Sequence, residues 1–518
     1  MKRRALIPTL VSAGVAAAMA VTPVALPSAG AAAVKGSAVE HDCFSSVPDP
    51  GTDAPVEICY SVFKPAGASK KRKVPLLMHS HGWGGSRATE ASSVQRYLDA
   101  GYGVLSFDQR GFGESGGRAH VENPDVEGHD VRRLVRIAAK LRWVRKDGRN
   151  DPRMGAVGGS YGGGYQYLAA FEMLRTRGKT VLDALAPEIT WNDLQDSLAP
   201  QGVVRTEWAL GLSAAAVPSD ALPPEVYGAL VEGAATGNWP DGDPVSLSDM
   251  NAFFEKNGPA WHVRQGRKLD IPVLMGQGAT DSLFNLRQGL VNWRTALTKK
   301  ARKRSMFVGY NGGHVLPAVL PQGVDVTSDP CSEKLAGGDF TALAIRFFDE
   351  RLKGRATGLK GWGKVHLATQ DSSCTTRPNS RSNTAVDLGT VASPAALAAP
   401  PVPYELVKGP VRIAGESFLT ADVTTTTLDG RAFLGFAVGT SPLDARLVQK
   451  NVLPINEPMP VQGASRRVAL PSVAVDVPEG QNLSLLVAPT SDTFVGMSSR
   501  VPGVVLMENT KVHLPVVR

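Results

Sequence analysis

The 518-residue chain lacks several features that would assign it to a specialised class of protein. It contains no internal repeat, no long acidic or basic block, and no run of 18 consecutive apolar residues after its N-terminal segment. These absences argue against a repeat protein and against membrane-spanning helices. Instead, 43% of the residues are hydrophobic and 20% are charged, as in globular proteins, and the length predicts two or three domains.

A clustered positive surface is also missing. The net charge of +8 falls to +5 if residues 1–33 are removed, because that segment carries three basic residues and no acidic one. Lysine and arginine residues are otherwise scattered, apart from the run Lys70–Lys73, which is best interpreted as a solvated turn. Nucleic-acid binding needs a basic stripe with stacking or base-reading groups, so no nucleic-acid partner is expected.

Cysteine is scarce, and neither the spacing of the four cysteines nor the positions of the nine histidines resembles a metal site. No metal and no organic cofactor is implied. An even cysteine count in an exported protein predicts two disulfides, for which four cysteines allow three pairings. We favour Cys43–Cys59 with Cys331–Cys374, since each closes a loop of moderate length; free buried thiols are the alternative.

The first 33 residues have the pattern of a secretory signal peptide. A basic start, Met1–Arg4, precedes an apolar stretch, and Ala29–Ala31 fits a small-residue cleavage site. The alternative is a membrane anchor, which the prolines and the Gly/Ser content of the segment disfavour. We expect a secreted, extracytoplasmic protein without stable membrane insertion after cleavage. The pair Arg3-Arg4 in the signal segment leaves two export routes open, the general secretory route and the twin-arginine route.

The rest of the chain divides into three regions by its hydrophobic pattern. Residues 34–192 and 271–358 alternate between apolar strands and amphipathic helices, which predicts an α/β domain with a parallel sheet covered on both faces. Residues 193–270, rich in Ala, Leu and Trp and broken by prolines, predict a helical cap inserted over the sheet. Residues 359–518 show short β-rich runs between turn residues and predict an all-β jelly-roll domain. The strands predicted in the α/β domain are Val74–His79, Val104–Phe107, Met154–Val157, Leu182–Leu185, Pro272–Met275 and Ser305–Val308.

The strongest chemical motif is Gly158-Gly159-Ser160-Tyr161-Gly162, which fits G-x-S-x-G. It lies between a predicted strand and a predicted helix, which is the context of the nucleophile elbow in α/β-hydrolases. A sharp turn there raises the serine hydroxyl above the sheet edge, and the glycines avoid clashes with neighbouring backbone. The alternative, a glycine-rich phosphate loop, lacks the G-K-[ST] sequence that should follow. Ser160 is therefore the candidate nucleophile.

A serine nucleophile needs a histidine to accept its proton and an acid to orient that histidine. In α/β-hydrolases the chain order is serine, acid, histidine, and Asp281 and His314 follow Ser160 in this order. Each lies just beyond a predicted strand, at the sheet edge where such folds bind their ligands. Asp193 and Asp196 follow an earlier strand and are the alternative acids. The histidines that lack this context, precede the serine or fall in the predicted β domain are His41, His79, His81, His120, His129, His262, His366 and His513.

Two backbone N–H groups should bind the oxyanion of a tetrahedral intermediate. One is expected from Tyr161, the residue after the nucleophile. The other is expected from Trp83 in the loop His79–Gly85, which follows an early strand. The alternative interpretation of this loop is a simple tight turn at His81-Gly82.

A second glycine-rich loop, Asp108–Gly116, follows the strand Val104–Phe107. Its three spaced glycines imply a tightly shaped loop near the active face. Asp108 and Arg110 are expected to fix the shape of this loop rather than to react. Ser115 is a possible competing nucleophile, but the sequence around it has no elbow.

Three motifs together resemble the X-Pro dipeptidyl-peptidase and cocaine-esterase family. They are Asp-x-Arg-Gly-x-Gly-x-Ser-x-Gly at Asp108–Gly117, Gly-x-Ser-Tyr-x-Gly at Gly158–Gly163, and Phe-Asp-x-x-Leu-Lys-Gly at Phe348–Gly354. The resemblance implies an α/β-hydrolase domain, a helical cap and a C-terminal jelly roll. Cocaine-esterase-like members place a tyrosine hydroxyl in the oxyanion hole, whereas the loop His81–Gly85 contains no tyrosine, so backbone donors are expected instead.

The motifs and the resemblance predict a secreted serine hydrolase that cleaves an ester or amide bond through an acyl-enzyme intermediate. The first hypothesis is an X-Pro dipeptidyl-peptidase-type enzyme, and the second is a carboxylesterase or acylase of the cocaine-esterase type. A third, from another class, is a catalytically inactive carbohydrate-binding protein. The expected partner is a small-molecule or peptide substrate, and the oligomeric state is left open.

Overall fold

The computed structural model describes residues 37–244, 246–315, 324–395, 399–441 and 443–517. The predicted signal peptide, residues 1–33, lies outside the described residues. Among the described helices, none is both long enough and apolar enough to cross a membrane.

Residues 38–377 contain a ten-stranded sheet in the order β1-β2-β4-β3-β7-β8-β9-β10-β11-β12. Neighbouring strands from β4 through β11 run parallel, while the pairs at either edge are antiparallel. Strands β5 and β6 form a separate two-stranded ribbon. The bounds are β1 Ala38–Ser46, β2 Val56–Lys64, β3 Leu76–Ser80, β4 Gly103–Phe107, β5 Lys146–Gly148, β6 Asp151–Pro152, β7 Met154–Gly159, β8 Ala184–Glu188, β9 Leu274–Gly278, β10 Met306–Tyr310, β11 Val365–Ala368 and β12 Cys374–Arg377.

Helices cover both faces of this sheet, because parallel strands that are buried on two sides need apolar partners on each. Leu134 and Phe171 pack into the core on one face, and Leu343 and Phe347 pack into a second core cluster. The helices are α1 Gln95–Asp99, α2 Glu127–Lys140, α3 Tyr161–Arg177, α4 Leu194–Leu198, α5 Thr206–Ala216, α6 Pro224–Thr236, α7 Met250–Phe254, α8 Pro259–Arg264, α9 Leu286–Thr295, α10 Lys299–Lys303, α11 Pro330–Ala336 and α12 Phe340–Leu352. Five of these, α4 to α8, lie between β8 and β9 and fall within the segment predicted as a cap.

The C-terminal part of the chain forms two antiparallel sheets around their own apolar core. One sheet has the order β13-β20-β15-β18, with β21 also paired to β15, and the other has the order β14-β19-β16-β17. The strands are β13 Thr384–Ala395, β14 Val402–Lys408, β15 Val411–Thr425, β16 Gly430–Gly439, β17 Arg446–Glu457, β18 Val461–Val477, β19 Asn482–Ala488, β20 Gly503–Leu514 and β21 Val516–Val517.

The start of the β domain differs from the prediction that placed it at residue 359. Strand β11 pairs in parallel with β10, and β12 pairs with β11, so both strands extend the first sheet. The β domain therefore begins with β13, after Arg377. A short apolar run such as Val365–Ala368 has the same pattern in either domain, and only its pairing partner distinguishes the two. His366, assigned from sequence to the β domain, consequently lies in the first sheet.

Both favoured disulfide pairings are confirmed. Cys43 and Cys59 face each other on the antiparallel strands β1 and β2. Cys331 at the start of α11 is bonded to Cys374 at the start of β12, which joins a helix to the edge of the sheet. No cysteine in the described part of the chain is free.

Candidate active site

Ser160 occupies the sharp turn between β7 and α3, with φ 57° and ψ −122°. A non-glycine residue in this region is strained, and such strain is typical of a nucleophile elbow. A Cβ at Gly162 would lie 2.5 Å from the Ser80 carbonyl oxygen, so no larger residue fits there. The Ser160 N–H donates to the Glu188 carbonyl, 3.0 Å away, which anchors the turn to the neighbouring strand.

The structure brings Ser160, His314 and Asp281 into one hydrogen-bond chain. His314 Nε2 lies 2.8 Å from Ser160 Oγ, and His314 Nδ1 lies 2.6 Å from Asp281 Oδ2. With a carboxylate at Nδ1, that nitrogen carries the proton and Nε2 can accept the serine proton. Asp281 is fully buried, and its Oδ1 accepts from the N–H groups of Leu283 and Phe284. This arrangement holds the carboxylate in one orientation toward the imidazole.

Backbone geometry brings the acid and the base together. The His314 N–H also donates to Asp281 Oδ2 at 3.0 Å. Gly313, at φ 104°, passes so close that a Cβ there would lie 2.6 Å from Asp281. Gly313 therefore allows the loop that carries His314 to pass directly over the Asp281 carboxylate.

The alternative acids have other partners. Asp193 caps α4 by accepting from the Asp196 N–H, and its carboxylate pairs with Arg264. Asp196 accepts hydrogen bonds from Arg287 and from Gln288. Neither carboxylate bonds to His314, so Asp281 is the acid that the geometry favours.

Two aromatic rings hold the imidazole edge-on. The ring centroid of Phe284 lies 5.1 Å from that of His314, and the centroid of Trp208 lies 5.8 Å away. Trp208 belongs to the cap helix α5, and its indole N–H donates to Ser282 Oγ. No motif in the sequence marked Trp208, because its role depends on how the cap folds onto the sheet.

The predicted oxyanion donors lie on either side of the nucleophile. Tyr161 is the first residue of α3, so its N–H has no acceptor within the helix. Gly82, next to Trp83, lies beside Ser160, since a Cβ there would be in van der Waals contact with the serine Cβ at 3.7 Å. No described residue accepts a hydrogen bond from the Trp83 N–H.

The Trp83 side chain tethers this loop to the cap. Its indole N–H donates to the Leu212 carbonyl at 2.9 Å, and its ring packs edge-on against Phe112 and Tyr161. His81 secures the other side of the loop, since its Nε2 accepts from the Gln109 N–H at 3.1 Å. Burial lowers the pKa of His81, which keeps the ring neutral and able to accept.

The glycine-rich loop after β4 is shaped by buried ion pairs, as its sequence suggests. The Asp108 carboxylate pairs with the buried Arg87 guanidinium. Arg110 bonds to both Asp130 and Asp49. Ser115 donates to the Asp108 carbonyl and accepts from a backbone N–H of β2, so its hydroxyl is occupied structurally.

Near the elbow lie three acids that the sequence did not single out, of which Glu122 and Glu127 are buried and Glu188 is half-buried. Burial raises the pKa of Glu127 to about 8 and raises the pKa of Glu122 well above its ordinary value. Burial also raises the pKa of Glu188, on the neighbouring strand, to about 7. Val121 and Glu122 are consecutive left-handed residues, at φ 56° and 64°, and Val121 lines a cavity that lies beside Ser160.

A cavity of about 180 Å³ lies directly against Ser160. Its floor includes Trp83, Tyr161 and Trp191, and its walls come mainly from the cap helices α4 to α7. One residue of the β domain, Met497, also lines it. Within the described part of the chain, no group of three or more His, Cys, Asp and Glu side chains could hold a metal ion.

Comparison with known proteins identifies the family. The family model described as X-Pro dipeptidyl-peptidase (S15 family) matches residues 53–315, a little over half of the chain. The chain belongs to the S15 family. This agrees with the resemblance that the three motifs indicated, and it makes the protein a member of a family of serine hydrolases that includes esterases and peptidases.

Solved structures support the fold of this S15 member over nearly its whole length. A CocE/NonD family hydrolase from Staphylococcus aureus superposes with a TM-score of 0.60 at 13% identity, covering 92% of this chain and 97% of that one. An α-amino acid ester hydrolase gives a TM-score of 0.56 at 12% identity over 96% of this chain and 100% of that chain. The predicted fold class, an α/β-hydrolase domain with a cap and a C-terminal all-β domain, is thereby confirmed.

A curated relative matches a much shorter part of the chain. An uncharacterized 31.7 kDa protein of Escherichia coli, from the traX-finO intergenic region, is 30% identical over 106 residues. These residues represent 20% of this S15 member and 35% of the relative, so the chain spans about a third of that protein's length.

Proposed function

We propose that the protein is a serine hydrolase that cleaves an ester or amide bond through an acyl-enzyme at Ser160. The observation that carries this proposal is the hydrogen-bond chain from Ser160 through His314 to the buried Asp281. A general base within 2.8 Å of the hydroxyl and an acid that holds the base are the requirements for activating serine.

In the proposed reaction Ser160 Oγ attacks the substrate carbonyl carbon while His314 Nε2 accepts its proton. The N–H groups of Trp83 and Tyr161 stabilise the oxyanion that forms. The bond to the leaving group then breaks as His314 returns the proton to it. Water attacks the acyl-enzyme by the same route in reverse and releases a carboxylic acid.

Two substrate classes are compatible with this mechanism. Membership of the S15 family favours an X-Pro dipeptidyl-peptidase activity, which requires acidic groups to hold the free amine of the substrate. The cavity against Ser160 has no Asp or Glu among its described lining residues, and this favours a carboxylesterase or acylase. We take the second class as the better supported by the geometry. The aligned triad disfavours the third hypothesis, an inactive carbohydrate-binding protein.

We also propose that the enzyme is exported. The two disulfides support this, since such bonds persist in oxidising compartments and are rare in reducing ones. Fractionation of the expressing cells and N-terminal sequencing of the mature protein would test it; an intact N-terminus in the cytoplasmic fraction would contradict it.

A fluorophosphonate probe tests the catalytic proposal, because it reacts only with an activated serine. We expect covalent labelling of the wild type and none of Ser160→Ala. The matched control is Ser115→Ala, which removes the other candidate serine and should leave labelling intact. Absence of wild-type labelling, or equal labelling of Ser160→Ala, would refute the proposed activity.

A further inference from the structure

The cavity against Ser160 contains almost no polar groups. Among its described lining residues none is charged at neutral pH, and the aliphatic hydroxyls are those of Ser160, Thr206 and Ser213. A substrate ammonium or carboxylate placed there would lose its hydration without gaining an ionic partner, which is strongly unfavourable. The cavity therefore selects against zwitterionic and charged groups.

The position of His314 indicates which half of the substrate enters this cavity. In the proposed mechanism His314 protonates the leaving group, so the leaving group must lie beside Nε2. His314 itself does not belong to the described lining of the cavity, although Phe284, which packs edge-on against its ring, does. Because the lining includes the nucleophile Ser160 but not the imidazole itself, we assign the cavity to the acyl part of the substrate.

The cavity is open at its outer end and closed at its inner end. Tyr161 and Trp191 are both only 2% exposed and form its inner part. Leu210 is 50% exposed and Ala234 is also exposed, so these two residues of the cap mark its mouth. Ala229 of α6 is buried between the two ends, and its small side chain leaves space in the middle of the cavity. This shape suits an extended chain better than a compact ring.

We propose that the cavity binds the uncharged aliphatic acyl chain of the substrate, so that the enzyme prefers esters or amides of medium-chain fatty acids. The inference rests on the proposed acyl-enzyme mechanism at Ser160. Ser160 Oγ forms the bond to the fatty-acyl carbon, the bond to the alcohol or amine breaks, and its proton comes from His314. Water then replaces Ser160 Oγ, which yields one fatty acid and one alcohol or amine per water consumed.

A chain-length series of p-nitrophenyl esters tests the inference, with the acyl group varied and the leaving group constant. Each buried methylene should raise kcat/KM about threefold, so octanoate, which has about six methylenes more than acetate, should exceed acetate by on the order of 700-fold. Measurements below the critical micelle concentration avoid aggregation of the longer esters. Acetate turnover equal to or faster than octanoate turnover would overturn the inference.

A second series distinguishes the two sides of the scissile bond. Alkyl acetates from ethyl to octyl vary the alcohol while the acyl group stays small. We expect kcat/KM to depend far less on chain length here than in the acyl series. If the alcohol series showed the steeper dependence, the cavity would be a leaving-group site and the assignment would be wrong.

Two substitutions narrow the cavity at different positions. Ala229→Phe fills its middle, and Leu230→Trp narrows it at a half-buried position that is less demanding for folding. Each should lower the octanoate-to-acetate ratio of kcat/KM at least tenfold. The matched control is Val231→Phe on the same helix, at a residue that is 72% exposed and outside the cavity lining, and the ratio should not change. An unchanged ratio in both cavity variants would contradict the proposal.

Failure of this inference can be distinguished from failure of the proposed function. Fluorophosphonate labelling of every variant reports whether the folded site and its activated serine are present. Labelling with a preference for acetate would refute only the fatty-acyl assignment. Labelling with Ala-Pro-p-nitroanilide as the best substrate would refute both that assignment and the preference for an esterase, while the acyl-enzyme at Ser160 would stand. Absence of labelling in the wild type would instead refute the catalytic role of Ser160.

Discussion

The indole N–H of Trp83 donates to the carbonyl of Leu212 at 2.9 Å, and this bond joins the loop after β3 to the cap helix α5. The same loop carries the Trp83 backbone N–H, which we assign to the oxyanion hole. The cap therefore has two contacts with the catalytic machinery, one through this bond and another through Trp208, which packs against His314. Movement of the cap would alter both the oxyanion site and the orientation of the base.

Trp83→Phe keeps an aromatic ring against Tyr161 but removes the hydrogen bond to Leu212. The loss of about 1 kcal/mol of tethering should lower kcat/KM about fivefold with any ester. Steady-state kinetics on p-nitrophenyl butanoate measure this. Trp362→Phe is the control, because it removes an indole hydrogen bond to the Leu359 carbonyl at a position with no contact to the site. Equal losses in the two variants would show that the tether has no specific role.

Asp281→Asn retains the size of the side chain but removes the charge that orients His314. In a triad this change leaves the wrong imidazole tautomer and lowers kcat about 10⁴-fold. Asp196→Asn, at the alternative acid, should leave kcat nearly unchanged because Asp196 pairs with Arg287. Single-turnover kinetics of both variants decide between the two acids, and a large loss only in Asp196→Asn would reverse the assignment.

Gly162→Ala should destabilise the protein, because its Cβ would lie 2.5 Å from the Ser80 carbonyl oxygen. Overpacking of this kind typically costs about 1–3 kcal/mol of unfolding free energy. Gly228→Ala lies in the exposed helix α6, and its Cβ would meet no atom within 4 Å. It should raise the unfolding free energy by up to about 1 kcal/mol. Urea denaturation of both variants measures the contrast, and similar shifts in the same direction would contradict it.

Glu188 makes stability depend on pH. Its pKa is raised by burial from 4.5 to about 7, so the folded state binds more protons than the unfolded state between these two values. The contribution of Glu188 to the unfolding free energy is therefore largest at low pH and decreases as the pH rises through this window. Glu188→Gln cannot ionise and keeps an acceptor for the Tyr310 hydroxyl.

Thermal unfolding between pH 5 and pH 8 measures this effect. Relative to the wild type, Glu188→Gln should gain about 1–2 kcal/mol of stability across this range, after allowance for its partial exposure. Glu479→Gln, at an exposed surface carboxylate, is the control and should follow the wild-type curve. A Glu188→Gln curve parallel to that of the wild type would show that Glu188 does not titrate in this window.

The central strands and the positions of the candidate triad could be predicted because local sequence determines them. Gly158–Gly162 specifies an elbow by steric necessity, and the acid and base each follow an apolar strand. Strands β1 and β2 were not predicted. Strand β1 is largely exposed and has a polar pattern, so its place is set by pairing with β2 and by Cys43–Cys59. The side chains around the triad, such as Trp208 and Val121, come from distant segments, and no local pattern marks them.

The position of Met497 affects how the protein should be engineered. It is a β-domain residue, yet it forms part of the cavity beside the nucleophile, and the nearby Arg205 of the hydrolase half stacks over Phe494. Under the proposed fatty-acyl assignment, chain-length selectivity therefore depends on residues of both domains. Mutagenesis libraries confined to the first 377 codons would miss one wall of the cavity, and exchanging C-terminal domains between homologues should change chain preference without altering a catalytic residue.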